Sequence, residues 1–161
     1  MFDEPRVADL DLTALEGALL RAAVGDYAAE AAILLLANDG HWLPRLQAAG
    51  LITIALDGAL DGGPWAAVLW PELDCALRTG VLTGTSSQRR LLRAAASLAD
   101  GRSVDLGDLA AGLDRPALQL LLAALSHAAG SHEHRAVHHD ADGVPHDAEL
   151  LGPIVPWGPA D

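Results

Sequence analysis

Thr85-Ser86-Ser87-Gln88-Arg89-Arg90-Leu91-Leu92-Arg93-Ala94-Ala95-Ala96-Ser97-Leu98-Ala99-Asp100-Gly101 is the stretch that decides the fold class. Its opening has capping-box spacing: a hydroxyl accepts from the backbone three residues on, and Gln88 reaches back. Leu91, Leu92, Ala95 and Leu98 then recur at spacings of three and four, which marks one buried helical face. Gly101 supplies a C-terminal stop.

The same grammar repeats on both sides. Asp11 caps a helix through Leu15, Leu19, Leu20 and Ala23, interrupted at Gly25-Asp26. A second helix over about 27–38 is apolar all round across 31–37, the mark of an enclosed helix, and stops near Asn38-Asp39-Gly40. A shorter helix spans 41–49. Residues 51–56 have strand composition but no evident partner, so they read as an extended or helical linker, and 57–64 read as a glycine-rich loop. A helix is expected from 65 to 79, with a break where Pro71 follows Trp70. Asp105 caps a short helix through Leu109. Asp114 caps another whose core stripe is Leu118, Leu121, Leu122 and Leu125, ended by Gly130. The expected fold is therefore all-α: a bundle of about six to seven short helices over 11–130. A loose leader (1–10) precedes it, and an irregular His/Pro/Gly-rich arm (131–161) follows it.

Composition agrees and narrows the function classes. The 161 residues are 51% hydrophobic but only 4% aromatic, so the apolar mass is Ala, Leu and Val, two of them strong helix formers. Against 22 acidic residues stand 10 basic ones, all arginine, for a net charge of −12. That field opposes binding to nucleic acid or to an anionic membrane surface. Cys75, the only cysteine, sits among leucines and reads as a small core residue. The acidic start lacks the build of a signal peptide, and the longest apolar run is far short of the roughly 20 residues of a spanning helix. The cytoplasm is the default compartment.

Three features stand out from the helical background. Six of the seven histidines lie between 127 and 146, interleaved with Glu133, Asp140, Asp142 and Asp147. His132, His134, His138 and His139 are the candidate ligands there for zinc, nickel or copper. A solvated tail, or a contact that changes charge near neutrality, explains the same histidines. Arg89, Arg90 and Arg93 cluster behind a Gly-Thr-Ser-Ser helix start that can hold an anion, though pairing with the abundant carboxylates accounts for them too. Among the tryptophans, Trp42 with Trp65 or Trp70 are the expected core anchors. Trp157, in Ile154-Val155-Pro156-Trp157-Gly158-Pro159, has the look of a docking peptide for its own domain or for a partner.

From Trp65 to Gly130 the chain resembles a group of small helical proteins of unknown function common in actinobacterial-type, GC-rich genomes. The resemblance is carried by Thr85-Ser86-Ser87, Leu92-Arg93-Ala94-Ala95-Ala96-Ser97-Leu98-Ala99 with Gly101, Val104-Asp105-Leu106 and Gly112-Leu113-Asp114. It implies a helical domain and no catalytic residues. The expected function is that of a non-enzymatic interaction or regulatory protein that binds a protein partner or itself and needs no cofactor. The alternative is a metal-binding protein or metal-dependent enzyme that uses segment 127–146 with zinc or nickel.

Overall fold

The computed structural model describes residues 6–55 and 63–158. Most of the expected loop at 57–64, the first half of the leader and the last three residues of the arm lie outside them. Seven α-helices and two small antiparallel sheets are found among the described residues, 57% of which are helical. The fold is mostly helical but not purely all-α.

The helices are α1 (Leu12–Ala23), α2 (Tyr27–Asp39), α3 (Trp42–Ala48), α4 (Leu73–Arg78), α5 (Ser86–Asp100), α6 (Leu106–Gly112) and α7 (Arg115–Ala128). Side-chain caps start five of them. Asp11, Asp26, Thr85, Asp105 and Asp114 each accept from backbone N–H groups two or three residues on, which satisfies donors that the first turn leaves free. Thr85 and Gln88 form the full reciprocal box, at 3.2 and 2.9 Å. Helix α2 runs through the middle, packed along α5 and α7 and touching α1 and α3. Its Ala31, Ala32, Leu35 and Leu36 are fully enclosed. The leader is tied down in part: the Gln47 amide donates to the carbonyls of Val7 and Leu10.

Residues 52–55 and 65–68 depart from the expectation. Ile52–Ala55 is strand β1, and its partner is Trp65–Val68, strand β2, the stretch read as the start of a helix. They pair antiparallel with Ile52 opposite Val68 and Ala55 opposite Trp65. Alternation carries the reason: Ala66 and Val68 point inward while Trp65 and Ala67 point out, and β2 lies against α1. Two alanines in four residues suggest a helix by propensity, but burial of every second residue overrides it.

The C-terminal segment is also more regular than an arm. After α7 a single 3-10 turn (Ser131–Glu133) leads into β3 (Arg135–His139), which pairs antiparallel with β4 (Pro145–Leu150). The turn between them is built by Asp140, whose carboxylate accepts from the N–H groups of Asp142 and Val144, both at 2.9 Å. No helix among the described residues is long and apolar enough to cross a membrane.

Candidate functional site

The site grows out of α7. Two apolar rows run along this helix, each with the i, i+4, i+7 spacing of one helical face. Ala117, Leu121 and Ala124 form the row that packs inward. Leu118, Leu122 and Leu125 form the other, and are 37%, 45% and 43% exposed. The expected stripe of four leucines is therefore split: only Leu121 is core. Alanines at 117 and 124 let α7 approach α2 and α5 closely, so the smaller row wins the interior and three leucines are left outside.

After α7 comes the C-terminal hairpin. Almost every residue of β3 and β4 is exposed, and the two strands make their substantial contacts with each other. Val137, Val144, Leu150 and Leu151 are all more than half exposed. Beyond β4 the chain returns along α7. Ile154 and Val155 donate their N–H groups to the hydroxyls of Ser131 and Ser126, and Trp157 packs, partly buried, against the core.

The histidines divide between these parts. His127, on the last turn of α7, meets Glu30 of α2 with Nε2 3.1 Å from Oε2. Its ring stacks on His132 at 4.3 Å, lies 6.2 Å from Trp157, and Tyr27 meets both imidazoles edge-on. Gly130 makes this possible: its φ of 69° is left-handed, and a Cβ there would lie 3.2 Å from the Tyr27 ring. His138 reaches across the hairpin to Glu149 at 3.6 Å. His134 and His139 are exposed. The four candidate ligands His132, His134, His138 and His139 are thus spread along the segment. Among the described residues no three His, Cys, Asp or Glu stand where they would hold one metal ion.

The three arginines of α5 are engaged differently. Arg90 forks onto Asp108 of α6 at 2.9 and 2.7 Å, and this bond holds the Asp108 carboxyl below the ordinary carboxylate range. A Cβ on Gly112 would run into the same guanidinium, so that glycine leaves Arg90 its place. Arg93 is exposed and borders the same cavity as Arg90 and Asp108, and Arg89 is exposed as well. Two further expectations are corrected, for Trp65 and for Cys75. Trp42 alone is a fully buried tryptophan, Trp65 being 42% exposed on the outer face of β2 and Trp70 half-buried. Cys75 is exposed, because Leu73 and Ala76 take the inward side of α4. The outer leucine row and the hairpin were missed as surface features, although the Asp140-Ala141-Asp142-Gly143 turn signature stands in the sequence.

One half-buried carboxylate lies apart. Asp39, where α2 ends against the starts of α5 and α7, lines a cavity of about 330 Å³ together with Asp114 and Ser87. Its Oδ2 is enclosed and has no hydrogen-bond partner. Burial pushes its carboxyl above the ordinary range, opposed by the His41 backbone N–H and ring charge and aided by Asp114. A carboxyl held high in the folded state costs stability above its folded pKa, and that cost vanishes as pH falls towards its unfolded value. Asp39→Asn is accordingly expected to raise the urea midpoint at pH 7. The gain should shrink in urea melts repeated down through the acidic range; a gain independent of pH would contradict this account.

Comparison with protein-family models, with curated proteins and with solved structures finds no match for this chain. Function is therefore argued from these surfaces alone.

Proposed function

We propose that this protein is a non-enzymatic interaction protein that associates through the outer leucine row of α7 and the exposed C-terminal hairpin. A second copy of the chain is the occupant that fits best. The carrying observation is the row Leu118, Leu122 and Leu125, exposed along one face of a helix otherwise committed to the core. Contiguous apolar surface of this kind marks interaction sites. The hairpin supports the reading, since a two-stranded ribbon is at best marginally stable alone and offers two free edges.

Charge on the helix face does not oppose self-association in spite of the −12 total. No charged residue lies between Arg115 and His127, so two α7 helices laid antiparallel about a two-fold axis bring no like charges together. Carboxylates elsewhere are screened beyond a Debye length of about 8 Å at physiological salt.

Light scattering after size exclusion tests this. The full chain is expected to run at twice its 16.7 kDa mass at tens of micromolar. Leu122→Asp, which places a charge on both sides of the symmetric contact, should leave a monomer with an unchanged helical circular dichroism spectrum, a weakening of at least about tenfold. A wild-type monomer at those concentrations would reject self-association through this face.

A further inference from the structure

Along one side of α5, three cavities follow one another in a gradient of polarity. The middle one, about 190 Å³, has an apolar wall of Trp70, Leu73, Leu77 and Leu92 and a rim of Asp74, Arg93, Arg102 and Ser103. Trp70 also borders a second cavity of about 160 Å³, lined between Ile33 and Val68 entirely by apolar residues. Arg93 and Ser103 also border a third, of about 400 Å³, where Arg90 and Asp108 stand. Trp70 thus divides hydrocarbon surroundings from mixed ones, and Arg93 divides mixed from charged.

The charges around the middle cavity are mostly committed. Arg102 is held by Asp100 at 3.1 Å and faces Asp74 at 3.8 Å, and Arg90 is forked onto Asp108. Arg93 differs: among the described residues it makes no ion pair and no side-chain hydrogen bond. In a chain with more than twice as many acids as bases, one guanidinium stands uncommitted at the mouth of an apolar cavity.

We propose that this cavity binds a hydrocarbon monocarboxylate, with its carboxylate on Arg93 and its chain against Trp70 and the leucines of α4 and α5. Guanidinium geometry suits a carboxylate, which it meets with two parallel N–H bonds. One uncommitted positive charge matches one negative charge, while Asp74 and Asp108 on either side disfavour a phosphate dianion. A free amine finds no open partner, because Asp74 already faces Arg102. The walls offer only Ser103 as an uncharged hydroxyl, so a sugar would leave most of its hydroxyl groups unpaired. The site is separate from the α7 surface and does not depend on association there.

The test is a titration of the full chain with octanoate, read on the indole N–H signals of the four tryptophans by ¹⁵N NMR and assigned with Trp70→Phe. Octanoate is expected to move the Trp70 signal in a saturable way and to leave Trp65 and Trp157 in place. Arg93 is exposed, so Arg93→Gln should fold as wild type and bind octanoate at least about tenfold more weakly, the loss of a charge-assisted pair. Octanamide should bind as weakly to wild type as octanoate does to the variant. Any of three results would overturn the proposal: no movement of Trp70 with millimolar octanoate, equal affinity in Arg93→Gln, or stronger binding of octylamine or phenylalanine than of octanoate. Uniform movement of all four indoles would mean nonspecific adsorption and would overturn it equally.

Discussion

Trp42→Ala is expected to remove about 4 kcal/mol of folding stability, the largest loss of any single substitution considered, since truncating a buried tryptophan costs roughly 3–5 kcal/mol. The side chain is wholly excluded from solvent and is the largest that is. Its indole N–H donates to the carbonyl of Gln88 at 2.9 Å, which ties the start of α3 to the first turn of α5. His41 meets the ring edge-on at 4.6 Å and bonds through Nε2 to the Thr83 carbonyl at 2.9 Å. The backbone at Gly84 closes in beside His41 so tightly that a Cβ there would lie 3.0 Å from both the ring and His41 Nε2. Alanine therefore leaves a cavity that this ring of neighbours cannot fill by a small collapse. Trp42→Phe keeps most of the packing and forfeits the hydrogen bond, so it should cost about 1–2 kcal/mol. Urea unfolding with an unchanged slope is the measurement. Domains of this kind have only about 5–15 kcal/mol in total, so the alanine variant should lose a visible part of its cooperative baseline. A loss below about 1 kcal/mol would mean that α3 and α5 are not joined through this ring.

Much of the helical body can be read from the chain, and the reason is local. Asp11, Thr85, Asp105 and Asp114 are legible as caps because capping is decided within four residues, and each makes the bond its position implies. Gly40 and Gly101 are legible as stops for the same reason, both taking left-handed φ. What escapes the sequence depends on residues far apart. Strand β1 is recognisable only when β2 is known to face it, and β2 hides behind the helical propensity of Ala66 and Ala67. Either row of α7 satisfies the period of a helix, and the choice between Leu121 and Leu122 is made by the room α2 leaves for it. The histidine segment is conspicuous in the sequence, yet its spacing alone does not tell that His132 stacks on His127 while His138 faces Glu149. The cavity beside Arg93 has no linear signature at all: its lining runs from Trp70 to Ser103 and comes together only where α4 and α5 face each other across it.

Ser131→Ala is the second large effect expected, and it tests how the C-terminal arm is held. Ser131 is almost wholly buried and its hydroxyl donates to the Ser126 carbonyl at 2.7 Å. That uses its one proton, so the 2.6 Å contact between the two hydroxyls must be donated by Ser126. Both oxygens then accept from the arm, Ser131 from the N–H of Ile154 at 3.2 Å and Ser126 from that of Val155 at 3.0 Å. The chain of bonds does two things at once. It satisfies a carbonyl in the last turn of α7, and it fastens a segment whose Ile154 side chain is itself 77% exposed and contributes little packing. Alanine at 131 leaves three groups short of a partner, for a loss of about 2–3 kcal/mol. Ser126→Ala removes the other half of the same network, so the double variant should cost clearly less than the sum of the two. Hydrogen exchange at the amides of Ile154 and Val155 separates a local release from a general loss: both should lose protection in Ser131→Ala while those of α2 keep theirs, since the arm opens without the core. If both amides stay protected, the arm is held by Trp157 against His127 instead, and Trp157→Ala should then free it.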